Sequence, residues 1–486
     1  MKISSRLKTP ELFVIQFIRP FLGGSNHSQL LLVGTLALFI FSLVVESVKL
    51  PASVIFSVLC LVGPIFRFLA IMPSLIFILV FSNFFDPLIP VLSVQSPFHA
   101  GLLQIVNPNQ LFSIGATISL ILIFITNWIK HSQFQLASLI YVLVLLMAFI
   151  SAILGWEAQN ERKFQTLFFF FNLSCFYWMY LFVKTIDSSK FDFYCSLLFY
   201  FGIFGIFLYS LSIFGPNAIN THISFLLLAF SSVATYLILA QKKYVLYPLI
   251  LPVVFCVFKG IFLLSITTKA IALFGIFFGS IVYFYPMAFK KLMFLALCGV
   301  LSIHVAIFLM VYFGQTPFAV HDFIQLGHVA FNENASFIEK LSYKIVLDRF
   351  PLWIGALEGI QENLMISPAG TSFMPANFGS FATPERQIAW YFGAHNVVLE
   401  LSNNFGLIGA SLFWVFVVGV WVELVRICGQ SDRTRNLVLA MLMSYFLLPS
   451  LIGDFIIQEH SIIAWLIAGA LVGSARTQAN AHDTRV

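Results

Sequence analysis

The chain has 486 residues, 60% of them hydrophobic and only 9% charged, with a mean hydropathy of +0.96. Soluble domains run at roughly 45–50% apolar and 25% charged residues, so this composition excludes a soluble globular protein and indicates a polytopic membrane protein. The formal charge of +6 is accounted for by the positive-inside rule and does not call for nucleic acid or another acidic partner.

Residues 1–29 carry Lys2, Arg6, Lys8 and Arg19 ahead of the first apolar run, and no small-residue cleavage pattern follows that run. We read a cytoplasmic N-terminal tail and an uncleaved first span. Crossing a ~30 Å hydrocarbon core takes about 17–25 apolar residues. Such runs are predicted at 30–48, 51–65, 67–84, 110–129, 136–155, 165–183, 193–213, 222–240, 244–264, 270–286, 291–313, 400–425, 437–453 and 460–474. The second and third are short, and if 51–84 is one bent or re-entrant element the count falls from fourteen to twelve. Alternating in and out places most of the Lys and Arg residues in the cytoplasm, among them Lys130, Lys184, Lys190, Lys242, Lys243, Arg426, Arg433 and Arg435.

The fold class is therefore an all-α transmembrane helix bundle of about 12–14 spans. It comprises a tail at 1–29, a bundle at 30–313, one long outer loop at 314–399, C-terminal spans at 400–474 and a cytoplasmic tail at 475–486. The six cysteines all fall in or at the ends of apolar runs without C-x-x-C spacing, which argues against a metal or disulfide framework. No glycine loop for a nucleotide, no D-x-D pair and no metal cluster is found, so no cofactor is expected. There is no repeat of the kind many transporters carry.

The long loop holds helical patches at 336–347 and 352–364, and a Pro/Gly/Ser-rich turn, "SPAGTSFMPANFGSFATPE". A connection of this length is usually functional or disordered, and its Phe, Tyr and Trp content argues for order. It closes on "AHNVVLELSNNFGLIG", residues 394–409, where His395-Asn396 is followed after nine residues by Gly406-Leu407-Ile408-Gly409. This fits H-[NSQ]-x9-G-x-x-[GTY], and the stretch resembles the signature of the O-antigen ligase and O-antigen polymerase family. Three further segments are similar to that family: "RFPLWIGALEGIQENLMISPAG" (349–370), "FGPNAINTHISFLL" (214–227) with its Pro-Asn at Asn217, and "LLSITTKAIALFG" (263–275). The resemblance covers roughly 200–460. Lys269 stands where the family usually has arginine, Trp353 where ligases tend to have leucine, and the arginine often found before the Pro-Asn is missing.

The resemblance implies a bacterial inner-membrane glycosyltransferase with its site facing the periplasm. It would move a glycan from undecaprenyl pyrophosphate to a hydroxyl acceptor in O-antigen, capsule or exopolysaccharide synthesis, without a metal. The acceptor would be another lipid-linked repeat (polymerase), the lipid A core (ligase) or a protein hydroxyl (O-oligosaccharyltransferase), and other envelope polysaccharide assembly proteins are candidate partners. His395 is the candidate base, since an imidazole with a pKa near 6.5 accepts a proton at neutral pH. Arg349 and Lys269, with Lys259 inside a span, are candidate cations for the pyrophosphate. Asn396 is assigned an orienting or capping role, and Gly406 and Gly409 close helix packing.

Each residue also has an ordinary reading. Arg349 has Asp348, Glu358 and Glu362 nearby for a surface ion pair, and Lys259 can snorkel to the interface. Two other classes remain: a lipid-linked oligosaccharide flippase, which would bind pyrophosphate with the same cations but has no use for a base, and a non-catalytic scaffold docking partners on the loop.

Overall fold

The computed structural model describes residues 26–66, 69–82, 108–131, 162–186 and 188–210. It also describes position 365 and individual positions within 143–150, 291–305, 399–415 and 462–473. The regular elements among them are all helical: α1 (Asn26–Val44), α2 (Glu46–Phe66), a 3-10 turn (Leu69–Ile71), α3 (Met72–Val80), α4 (Pro108–His131), α5 (Arg162–Val183) and α6 (Ser188–Ser210). Two helices are long and apolar enough to cross a membrane, over His27–Val44 and Pro108–Ile125, and Leu50–Phe66 and Phe171–Val183 form shorter apolar stretches. The individually described helical positions within 143–150, 291–305, 399–415 and 462–473 fall within, or one residue outside, the runs predicted at 136–155, 291–313, 400–425 and 460–474.

α1 shows how such a helix chooses its inner face. Ser28, Thr35 and Ser42 recur every seven residues and are buried together with Leu32 and Phe39, whereas Leu30, Val33, Ile40, Phe41 and Val44 are exposed. In water the pattern would be inverted, with apolar side chains inside; a helix surrounded by hydrocarbon turns its few polar groups inward instead. The Thr35 and Ser42 hydroxyls donate to the carbonyls of Leu31 (2.8 Å) and Phe39 (2.7 Å), which keeps them satisfied within their own helix.

The stretch predicted as spans 51–65 and 67–84 is built differently. α2 begins at Glu46 and runs 21 residues, about 31 Å at 1.5 Å per residue. α3 has only nine residues, about 14 Å, and cannot cross a ~30 Å core. Its start is set by Pro73, whose fixed φ and missing N–H suit the first turn of a helix. Nearly all of α3 is buried, so the 67–84 run is a short interior element within the described residues.

Aromatic rings join these helices. Phe39 of α1 meets Phe77 of α3 edge-on at 5.1 Å, and Phe77 meets Phe201 of α6 at 5.2 Å. Phe112 of α4 stands edge-on to Trp178 of α5 at 5.5 Å, and Trp178 stacks on Phe182 at 5.1 Å. These are the offset and T-shaped arrangements that ring quadrupoles favour. The Trp178 indole N–H donates to the Pro64 carbonyl at 3.0 Å, supplying a partner to one of the last-turn carbonyls that α2 leaves open.

Candidate functional site

Of the residues singled out in the sequence, Gly406 and Gly409 are described, whereas His395, Asn396, Arg349, Lys269, Lys259 and Asn217 lie outside the described residues. The glycine end of the motif is unusual for a stretch of helix. Gly406 has φ 70°, the left-handed region that glycine occupies freely and that commonly ends helices. Gly409 is required for a different reason: a Cβ there would lie 2.5 Å from the Cβ of Phe405. In a regular α-helix side chains four apart are about 5–6 Å apart, so the turn at Gly406 folds the backbone back on Phe405, which is itself fully buried.

The Ile408 N–H donates to the carbonyl of Met365 at 3.3 Å. Met365 belongs to the 349–370 segment of the long predicted loop. The motif's glycine turn and Met365 are thus in direct contact. On either side Leu399, Leu401, Ser402 and Ala410 are buried, and Leu407 and Ile408 are exposed.

Sequence reasoning passed over a polar seam inside the helices. Among the described residues the buried polar side chains are all uncharged, and seven of the sixteen lie on α4 (Asn109, Gln110, Ser113, Thr117, Ser119) and α5 (Asn172, Ser174), the amide side chains among them. Asn109 Nδ2 donates to Ser82 Oγ at 2.6 Å, and Thr117 Oγ1 donates to Ser174 Oγ at 2.7 Å. Asn109-Gln110 and Asn172 were visible as polar residues within or at the edge of apolar runs, a placement that is rare in membrane helices.

It also passed over two close helix crossings. A Cβ at Gly115 would run into the Leu61 carbonyl, and one at Gly469 into the Phe176 carbonyl; at Gly473 it would lie 2.9 Å from the Tyr180 carbonyl. Gly469 and Gly473 have the G-x-x-x-G spacing that lets helix backbones touch. The 462–473 stretch therefore lies directly on α5, where Trp465 also meets Phe176 edge-on at 6.4 Å.

A cavity of about 80 Å³ lies among α3, α5, α6 and the 462–473 stretch, lined by residues such as Met72, Leu75, Trp178, Leu198 and Ile467. Its walls are apolar, and such cavities stay dry; it offers nothing to a pyrophosphate or a sugar. No group of three or more His, Cys, Asp or Glu is placed to hold a metal among the described residues. Comparison with protein families, with curated proteins and with solved structures finds no match to this chain.

Proposed function

We propose that the chain is a multi-pass glycosyltransferase of the bacterial inner membrane, resembling O-antigen ligases and polymerases. In this reading 12–14 spans carry one long loop on the periplasmic side. A glycan passes from undecaprenyl pyrophosphate to a hydroxyl on a second lipid-linked repeat or on the lipid A core. The acceptor oxygen attacks the anomeric carbon and the bond from that carbon to the pyrophosphate oxygen breaks. The electron pair leaves with undecaprenyl pyrophosphate. His395 takes the acceptor's proton, Arg349 offers a planar fork to the pyrophosphate oxygens, and Lys269 with Lys259 adds ammonium charge as the leaving group forms. Asn396 orients the imidazole. A donor already activated as a pyrophosphate needs no metal.

The observation that carries this reading is the pair of glycines. The H-N-x9-G-x-x-G spacing links it to the family, and both glycines stand where a side chain is not accommodated, Gly406 because of its φ of 70° and Gly409 because of Phe405. The spacing therefore has a steric meaning at its glycine end. The direct test is transfer by the purified protein in lipid nanodiscs, with an undecaprenyl pyrophosphate-linked repeat as donor. Release of undecaprenyl pyrophosphate together with a lengthened or capped acceptor supports the reading. Movement of intact donor across vesicles without its cleavage would favour a flippase instead.

A further inference from the structure

The cavity among α3, α5, α6 and the 462–473 stretch is partly open, and each of its four walls brings a half-buried apolar side chain to it: Ile76, Met179, Leu198 and Leu466. No charged residue lines it among the described residues. Trp178 also stands in its wall, but the indole N–H is given to the Pro64 carbonyl, so the ring offers the cavity no donor. One wall is the nine-residue α3, which at about 14 Å covers less than half the depth of a ~30 Å hydrocarbon core.

We propose that this cavity seats the end of one acyl tail of a bilayer phospholipid. Such a seat requires only that the bundle lie in a membrane, which the exposed Leu30, Val33 and Val44 of α1 support, and it does not depend on glycan transfer. Water in a cavity needs about 2–4 polar partners, and this lining is apolar. An empty void forfeits the dispersion contacts of the side chains around it, and the medium at the mouth of a membrane-embedded cavity is hydrocarbon. Size narrows the occupant further. A volume of about 80 Å³ is roughly half that of a ~150 Å³ cavity that accepts benzene, so it takes a stretch of unbranched chain and excludes a fused ring system. Met72 and Met179 in the lining are unbranched and adapt to such a guest. A seated tail touches α3, α5, α6 and the 462–473 stretch at once, and so adds contacts between the C-terminal stretch and the N-terminal helices.

The test uses the full-length protein in nanodiscs containing phosphatidylcholine with a diazirine at the end of one acyl chain. After photolysis, insertion sites are mapped by mass spectrometry. Met72 and Ile467, on two walls of the cavity, are each 4% exposed, so lipid lying against the outside of the bundle does not reach them, whereas Leu30, Val33 and Val44 record that outer lipid. Insertion is expected at both sets. Ala470→Phe and Leu198→Phe each bring a ring into the cavity from a different wall; either is expected to cut insertion at Met72 and Ile467 at least fivefold and to leave insertion on α1 within twofold of the parent. Insertion confined to α1 in the parent would overturn the seat, and that arm needs no variant to fold. Insertion at Met72 and Ile467 that neither ring diminishes overturns it too, because the tail then reaches those side chains by another route. Labelling of the two residues by a diazirine-bearing polyprenol and not by the phospholipid overturns the assignment to an acyl tail.

Discussion

Gly409 lies so close beneath Phe405 that a single methyl on its Cα would stand 2.5 Å from the phenylalanine's Cβ. Cβ is the fixed root of a side chain, so no rotamer change relieves the overlap, and Phe405 is fully buried. Overpacking of this kind costs about 1–3 kcal/mol. Gly409→Ala is expected to lower the thermal midpoint in detergent and the yield of inserted protein. A differential scanning measurement in which it matches the parent would count against the turn described here.

The glycines of the helix crossings should rank by what they touch. Gly469 and Gly115 face backbone carbonyls at the closest approach, Gly473 has slightly more room, and Gly34 has nothing within 4 Å. Alanine is expected to be most damaging at 469 and 115 and milder at 473. At 34 it should be neutral or stabilising by up to about 1 kcal/mol, since glycine inside a helix is the poorer helix former. Fluorescence-detected size exclusion after heating reads the order, and equal effects at 34 and 469 would contradict it.

Trp178 couples α5 to the end of α2 through one bond to the Pro64 carbonyl. Trp178→Phe keeps most of the ring contacts with Phe112 and Phe182 but leaves that carbonyl bare. An unsatisfied buried acceptor costs about 1–3 kcal/mol. The variant is expected to unfold at lower temperature than the parent, and Thr117→Val, which strips the hydroxyl that bonds Ser174, should do so by a similar amount.

If His395 is the base, only its neutral form accepts the acceptor's proton. With an ordinary pKa near 6.5, about one in ten imidazoles is neutral one unit lower. The transfer rate is therefore expected to rise roughly tenfold between pH 5.5 and 7.5 and then level. Cations close by would move the rise to lower pH, never higher. A rate flat across this range, measured with saturating donor, contradicts the assignment.

Among the described residues the helices were legible because long apolar runs mark them, and two are long and apolar enough to cross a membrane. The exception was 67–84, where apolarity continued past the point at which Pro73 starts a new, short helix. The inner face of α1 was legible too, had the seven-residue recurrence of Ser28, Thr35 and Ser42 been read with the membrane's inverted rule. Gly406 stood out as part of a motif, yet its left-handed backbone has no sequence signal beyond the glycine itself. The Ile408–Met365 bond was invisible because it joins main-chain atoms that almost every residue possesses. The catalytic assignments for His395, Arg349, Lys269 and Lys259 rest on the motif and lie outside the described residues.

The central claim is that His395 makes this chain a glycan transferase, and one experiment in cells tests it most directly. His395→Ala, tagged to confirm membrane insertion, replaces the parent gene, and surface polysaccharide is resolved on a gel. The account predicts loss of long-chain glycan with the variant still inserted: lipid A core capped by single repeats marks a polymerase, bare core a ligase. An unchanged ladder from an inserted His395→Ala protein would contradict it.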